Sequence, residues 1–467
     1  MSRPPVEVAH IVRASSARFI EKSGRWLHWS HVKVLRAIAR CRTAALGGHR
    51  DQCPKCGHQA ISYNSCRNRH CPKCQTAARD RWVAKRQTEV LPVGYFHVVF
   101  TLPHELSALV LQNKKEIYRL LLQASADTLL EVAANPEHLG ATIGFLGILH
   151  TWGQALLLHP HVHCVVPGGG FSPDRTRWIH SRPNFLVPVP VLKIVFRKKV
   201  RDGLKRLFRS GKLVFAGQLA DLSDWKAFLA FLEPVCKKEW VVYAKAPFRG
   251  PDHLLHYLAR YTHRVAISNH RLIAFDGESV TFRWKDYAHG NKKRKMTVSA
   301  EEFLRRFLLH TLPRGFVRIR FFGFLAGPRR AKMLQLARQL LQAEPKPSVP
   351  AADPVRASFP CPVCATPMVF GERLSAAQLL RAGVHRNAPN EIPRSRLRDL
   401  TEGQRASART GYLCPHRSLG AFLLARGLQV PTIRRSARRQ RRPTPDSARR
   451  FPHFLSQTEG ETRELFP

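Results

Sequence analysis

The chain has 467 residues and carries 77 Lys and Arg against 32 Asp and Glu, a formal net charge of +45. That length holds about two to four domains and ample buried core. With 44% hydrophobic residues the chain is not disordered as a whole, and so large a positive charge argues against a small-metabolite enzyme and for a polyanionic partner, nucleic acid first.

In chain order, residues 8–46 read as helical, because Phe19, Ile20, Val34, Leu35, Ile38 and Ala39 recur at helical spacing. Residues 50–75 are short, polar and rich in cysteine, so a metal must replace a conventional core there. Ala77–Leu91 reads as a basic connecting helix. A new domain is expected to begin near Pro92, with Tyr95–Leu102 as a strand ended by Pro103 and Leu106–Ala134 as a long helix. Leu139–Pro173 contains no Asp, Glu, Lys or Arg. Its five-residue set of His150, Gln154, His159, His161 and His163 would be expensive in a bilayer, so it reads as buried strands. Two strands, Ile143–Leu158 and His161–Val166, are expected around a turn at Pro160. Val191–Ser210 is a basic helix, Trp240–Ala244 a short strand and Leu254–Thr262 a helix. Leu272–Phe275 and Val280–Trp284 flank Asp276-Gly277, a hairpin signal, and Ala300–Leu309 is helical. Helices alternating with these strands predict an α+β fold with an antiparallel sheet. Pro345–Pro354 reads as a linker, and Arg434–Arg450, with eight Arg and one Asp, as a solvated tail. The expected domains are 1–91 (helices plus zinc module), 92–344 (catalytic), 345–360 (linker) and 361–467 (basic C-terminal region).

Eleven cysteines and no signal-peptide pattern at Met1–Arg13 point to metal sites rather than disulfides. Cys53-Pro-Lys-Cys56 and Cys71-Pro-Lys-Cys74 form a paired CxxC arrangement, and four converging thiolates suit tetrahedral zinc. The expected ligands are therefore Cys53, Cys56, Cys71 and Cys74, with Cys66 and His70 as alternates. Arg67, Arg69 and Lys73 make the module basic and are candidate DNA contacts. Cys361-Pro-Val-Cys364 is half of another site, with Cys414 and His416 as distant candidates to complete it.

His161-Val162-His163 lies on an expected strand. Residues two apart share a strand face, so the two imidazoles point the same way and can hold a divalent cation. Gln154 is the expected third ligand and His97 its competitor. Tyr257 and Tyr261, four apart, share a helix face beside Arg260, His263 and Arg264, and Arg260 and Arg264 are further candidate DNA contacts. Tyrosines at that spacing are ordinarily packing residues; the histidine pair elsewhere makes them candidate nucleophiles. No GxxxxGK[ST] sequence occurs, so no P-loop ATPase is attached.

His161-Val162-His163 resembles the HUH motif of single-strand DNA endonucleases, and Tyr257-xxx-Tyr261 resembles their two-tyrosine motif. The cysteine cluster is similar to the zinc-binding domain of rolling-circle transposases typified by insertion sequence ninety-one. HVVFTLP at 97–103, HTWGQ at 150–154 and FLLHTLPRGF at 307–316 fit the same family. The resemblance spans about residues 10–330. It implies an HUH domain with a central antiparallel sheet, structural Zn²⁺ and catalytic Mg²⁺ or Mn²⁺. It also implies cleavage and rejoining of single-stranded DNA at insertion-sequence ends through 5′-phosphotyrosine, in a bacterial, nucleoid-associated cytoplasmic protein that needs no membrane, with a homo-oligomer among its candidate partners. A plasmid replication initiator or relaxase is the alternative within the same chemistry. A non-catalytic zinc-dependent DNA-binding regulator, for which both tyrosines would be dispensable, is the alternative outside it.

Overall fold

In a computed structural model, residues 4–24, 26–245, 266–286, 289–290, 292–343 and 359–381 are described. The expected helix Leu254–Thr262, both tyrosines, Arg260, Arg264, the linker Pro345–Pro354, Cys414, His416 and the Arg-rich tail lie outside them.

Helices α1 (Val8–Ser23) and α2 (Trp29–Arg40) lead into strands β1 (Gly48–Gln52) and β2 (Gln59–Tyr63) and helix α3 (Pro72–Gln87). The connecting helix thus starts earlier than its hydrophobic pattern suggests. Cys71 is its N-cap and Pro72 occupies the first turn, where a missing N–H costs nothing.

The central sheet follows. Strands β3 (Tyr95–Thr101), β4 (Gly144–Trp152), β5 (Leu158–Pro167), β8 (Val242–Lys245) and β12 (Ile319–Gly323) lie in the order β12-β4-β5-β3-β8, and every pairing is antiparallel. Between β3 and β4 run α4 (Ser107–Gln112) and α5 (Lys114–Ala134), broken at Asn113 where one long helix was expected. After the short pair β6 (Gly169–Phe171) and β7 (Trp178–His180) come α6 (Val189–Arg209) and α7 (Trp225–Lys237). The sheet is apolar on both sides, but differently. Val98, Phe100, Phe145, Leu149, Val162, Cys164 and Val166 pack with Leu121, Leu122, Phe196 and Phe228 of the helices in the main core. On the opposite face Tyr95, Leu146, Ile148 and Val165 meet Trp82 of α3 and Phe321 of β12. The histidines belong to that second face. Gly323 ends β12 at φ +58°, where a Cβ would stand 1.9 Å from the Ile143 carbonyl, so only glycine lets the edge strand close on β4.

A second sheet, β9 (Leu272–Phe275), β10 (Ser279–Asp286) and β11 (Lys292–Ser299), is followed by α8 (Ala300–Leu309). Strands β9 and β10 flank Asp276-Gly277 as expected; Gly277 has φ +102°, and Asp276 Oδ1 accepts from the Glu278 and Ser279 amides. Val12, Phe19, Leu35 and Ile38 of the first two helices share a core with Val280, Phe282, Phe303 and Phe307. The N-terminal helices therefore cover this sheet, and Cys41 and Cys71 join the same core. Helix α9 (Arg330–Leu340) precedes β13 (Val369–Leu374) and α10 (Ala376–Arg381), and β13 returns to pair with β1. No helix among the described residues is long and apolar enough to cross a membrane.

Candidate metal centres

The histidine strands meet through a turn at 153–157, not at Pro160. Pro160 instead sits inside β5, a central strand, where a residue without an N–H is tolerated only at an irregularity. The irregularity is present. His150 pairs with His161, yet Trp152 pairs with Leu158, so β5 carries one extra residue beside Pro160. Three contacts seat the turn from outside: Arg271 donates to the Gln154 carbonyl, Arg306 to Ala155 and His310 lies 3.1 Å from the Leu156 carbonyl.

Moving the turn changes the ligand set. The residue opposite His161 is His150, and its ring lies 4.3 Å from that of His163 and 5.4 Å from that of His161. Ligand nitrogens of His150, His161 and His163 lie within 4.8 Å of one another, all three residues buried. Gln154, the expected third ligand, sits in the turn with its main chain engaged by Arg271. His97, the competitor, stands behind the site: its Nε2 is 2.9 Å from His163 Nδ1, with the rings 7° from parallel.

These partners fix which nitrogens face the cavity. His161 Nδ1 lies 2.7 Å from the His159 carbonyl, so it must carry the proton and donate. That leaves His161 Nε2 with its lone pair, buried and without a hydrogen-bond partner. His163, with Nδ1 engaged by His97, has Nε2 to offer. Burial, and then the surrounding imidazoles, hold His161 and His163 well below the ordinary histidine pKa, so both are neutral near pH 7. Three buried imidazoles, with His161 and His163 neutral and an orphaned lone pair on His161, fit a divalent cation.

Eight of the ten described cysteines form two clusters, and neither is the expected quartet. Cys41, Cys66, Cys71 and Cys74 make one; Cys53, Cys56, Cys361 and Cys364 make the other. Cys53 and Cys56 thus do not share a site with Cys71 and Cys74. In the first cluster Sγ–Sγ separations are 3.5 Å for Cys41–Cys74 and Cys66–Cys74, and 3.6 Å for Cys71–Cys41. Tetrahedral zinc with bonds of about 2.3 Å sets sulfur–sulfur edges of about 3.8 Å, so the cage needs little expansion to accept the ion. Cys41 ends α2, Cys66 lies in the loop and Cys71 and Cys74 open α3, so an ion here ties two helices together. His70 is not in that cage. Its Nε2 accepts from the Leu312 amide at 3.1 Å, and its Nδ1 lies 3.1 Å from Asn68 Oδ1.

Of the cysteine module's three basic residues expected to grip DNA, two work within the chain. Arg69 donates to the carbonyls of Phe316 (2.6 Å) and Pro313 (2.7 Å), and Lys73 pairs with Glu7 at 2.5 Å. Arg69 and His70 together fasten the cysteine module to the segment leading into β12, beside the histidine strands. Arg67 is exposed.

Strands β10 and β11 carry Arg283, Lys285, Lys292, Lys293, Arg294 and Lys295. A cleft of about 420 Å³ is lined by Gln154, Arg271, Arg283, Trp284, Lys285 and Lys293. The turn joining the two histidine strands therefore opens onto a basic surface.

Residues 144–332 match the family model described as "Putative transposase", and residues 11–102 match "Transposase zinc-binding domain". A relative named "Putative transposase y4qJ", from Sinorhizobium fredii, is 52% identical over 349 residues, covering 74% of this chain and 87% of the relative. The chain belongs to the insertion-sequence-ninety-one (IS91) transposase family. The transposase for insertion sequence element IS801 of Pseudomonas savastanoi pv. phaseolicola is 25% identical over 404 residues, covering 81% of this chain and 90% of that one. No solved structure matches. A transposase acts on DNA, so this chain is a DNA-binding, DNA-cleaving enzyme with a structural zinc module. The transposase model includes all three clustered histidines, and the zinc-domain model includes every cysteine of the first cluster.

Proposed function

We propose that this transposase cleaves and rejoins single-stranded DNA at insertion-sequence ends, with Tyr257 and Tyr261 as nucleophiles. The observation that carries the reading is the buried triad His150, His161 and His163 on adjacent central strands, next to a basic cleft. Attack by a tyrosine oxygen forms a P–O bond to the 5′ side of the break and releases a 3′-hydroxyl. The phenol loses its proton during attack, since little tyrosinate exists at neutral pH, and the leaving 3′ oxygen gains one. The phosphotyrosine bond keeps the energy of the phosphodiester, which fits a chain without a P-loop. His150, His161 and His163 would hold a divalent cation, Mg²⁺ or Mn²⁺, which would supply phosphate polarisation and offset the charge that builds at the reacting group. His97 positions His163: metal binding through Nε2 requires that His163 Nδ1–H donate to His97 Nε2, which selects one tautomer of each ring. Two tyrosines permit a second cleavage while the first strand end stays attached.

The test is cleavage of a labelled single-stranded oligonucleotide carrying an insertion-sequence end, with Mg²⁺, Mn²⁺ or EDTA. Cleavage with either ion, abolished by EDTA and absent on the matching duplex, is expected. Equal cleavage of duplex, or cleavage unaffected by EDTA, contradicts the proposal.

The basic cleft gives a second expectation. Lys292, Lys293 and Lys295 are exposed on β11. Replacing all three with alanine should weaken single-strand binding and flatten the plot of log affinity against log salt by about 2 units, at roughly 0.7 per lost phosphate contact. Fluorescence anisotropy across a salt series measures the slope; an unchanged slope removes this hairpin from the DNA path.

A further inference from the structure

The second cysteine cluster joins parts of the chain that are far apart. Cys56 and Cys361 are 305 residues apart in sequence, yet their sulfurs are 3.6 Å apart; Cys53–Cys364 is 3.4 Å and Cys364–Cys56 is 3.6 Å. The two half-sites have the same backbone. In Cys53-Pro-Lys-Cys56-Gly57 the Gly57 amide donates to the Cys53 carbonyl (3.0 Å) and the Cys53 amide to His58 (2.8 Å). In Cys361-Pro-Val-Cys364-Ala365 the Ala365 amide donates to Cys361 (2.9 Å) and the Cys361 amide to Thr366 (2.8 Å). Both turns end in the left-handed region, Gly57 at φ +69° and Ala365 at φ +59°. Glycine adopts that conformation freely; alanine does not, so the second turn is held in shape by its surroundings. The Val363 amide lies 3.4 Å from Cys361 Sγ, a donor aimed at a sulfur that would be a thiolate in a metal site.

The strands complete the picture. β13 pairs with β1 from Gly48↔Leu374 to Gln52↔Val369, and β1 pairs with β2, giving a three-stranded sheet with a cysteine turn beside each half. Little apolar surface holds this sheet: its core is Cys53, Cys361 and Met368, with Ala60 and Cys364 at the edge, and the returning segment adds Leu374 and Leu379 as buried apolar side chains. Arg50 and Glu372 add an exposed ion pair, which contributes little. So small a core does not offset the entropy of ordering the returning segment.

We propose that Cys53, Cys56, Cys361 and Cys364 bind a second zinc ion, distinct from the one in the Cys41 cluster, and that this ion staples residues 359–381 onto the N-terminal module. The ribbon is split across the sequence, with the whole catalytic domain inserted between its two cysteine turns. Its ligands lie partly beyond residues 11–102, so the matched zinc-binding domain does not contain this site as a unit. The soft, all-thiolate ligand set in a four-sulfur cage selects zinc over harder divalent ions.

The purified full-length chain should hold two zinc ions by inductively coupled plasma mass spectrometry, and Cys361→Ser with Cys364→Ser should hold one. Cys53→Ser with Cys56→Ser should lose the same single ion, and combining all four substitutions should lose no more. A readout without mutation guards against misfolded variants: alkylation mapped by mass spectrometry before and after graded chelation. Cys53, Cys56, Cys361 and Cys364 should become reactive together as one ion leaves. Wild-type zinc content in the Cys361/Cys364 variant, or alkylation of Cys361 and Cys364 in zinc-loaded protein while Cys53 and Cys56 stay protected, overturns the proposal.

Discussion

His161→Ala is expected to reduce metal-dependent strand cleavage by about a thousandfold. The cation's stabilisation of the developing charge is worth several kcal/mol, and about 4 kcal/mol corresponds to a factor of about a thousand. His161 offers a buried Nε2 whose tautomer is already fixed by the His159 carbonyl, so the substitution takes away one of the three proposed ligand nitrogens. His150→Ala should behave alike, because His150 faces His161 across the β4–β5 pair. His97→Ala should differ in kind. It removes the partner of His163 Nδ1 rather than a ligand, so metal affinity should fall by about 10–100-fold while saturating metal restores most of the rate. Single-turnover cleavage titrated with Mn²⁺ separates the two classes. If His161→Ala cleaves at the wild-type rate at limiting metal, the imidazole triad is not the catalytic metal site.

Tyr257→Phe combined with Tyr261→Phe should abolish covalent attachment to single-stranded DNA while binding survives. Removing one hydroxyl oxygen leaves the ring and its packing in place but takes away the nucleophile, and loss of a nucleophile typically costs on the order of 10⁴-fold or more. Each single substitution should retain one cleavage event and lose the second. The measurement is a denaturing gel of protein incubated with labelled oligonucleotide and Mn²⁺, beside anisotropy for binding. Adduct in the double variant would remove both residues from the mechanism.

Much of the fold was legible in the sequence because its signals are local. The Asp276-Gly277 hairpin, the helix Ala300–Leu309 and the strand at Tyr95 follow from turn chemistry and hydrophobic spacing. The histidine face was legible too, since alternation alone sends His161 and His163 the same way. Its third imidazole was not. Placing the turn at Pro160 put Gln154 across from the pair; the bulge that accommodates Pro160 inside β5 moved the turn to 153–157 and brought His150 opposite His161. HTWGQ contains both residues, and register alone decides between them. The cysteines failed for a related reason. Pairing the two nearest CxxC units is the sound choice from spacing, but spacing carries no information about Cys41, an isolated cysteine at a helix end, or about Cys361 and Cys364, which return from far along the chain. Arg69 and Lys73 looked like DNA contacts by charge, and only their carbonyl and carboxylate partners reveal a bracing role.

The proposed mechanism requires that a tyrosine become joined to DNA under control of the histidine site. The direct measurement is peptide mapping by mass spectrometry after incubating the full chain with a single-stranded insertion-sequence end and Mn²⁺. A nucleotide-bearing peptide containing Tyr257 or Tyr261, present in wild type and lost in His161→Ala, is predicted. Cleaved DNA with a free 5′-phosphate and no modified peptide, or a nucleotide carried on any other residue, would contradict it.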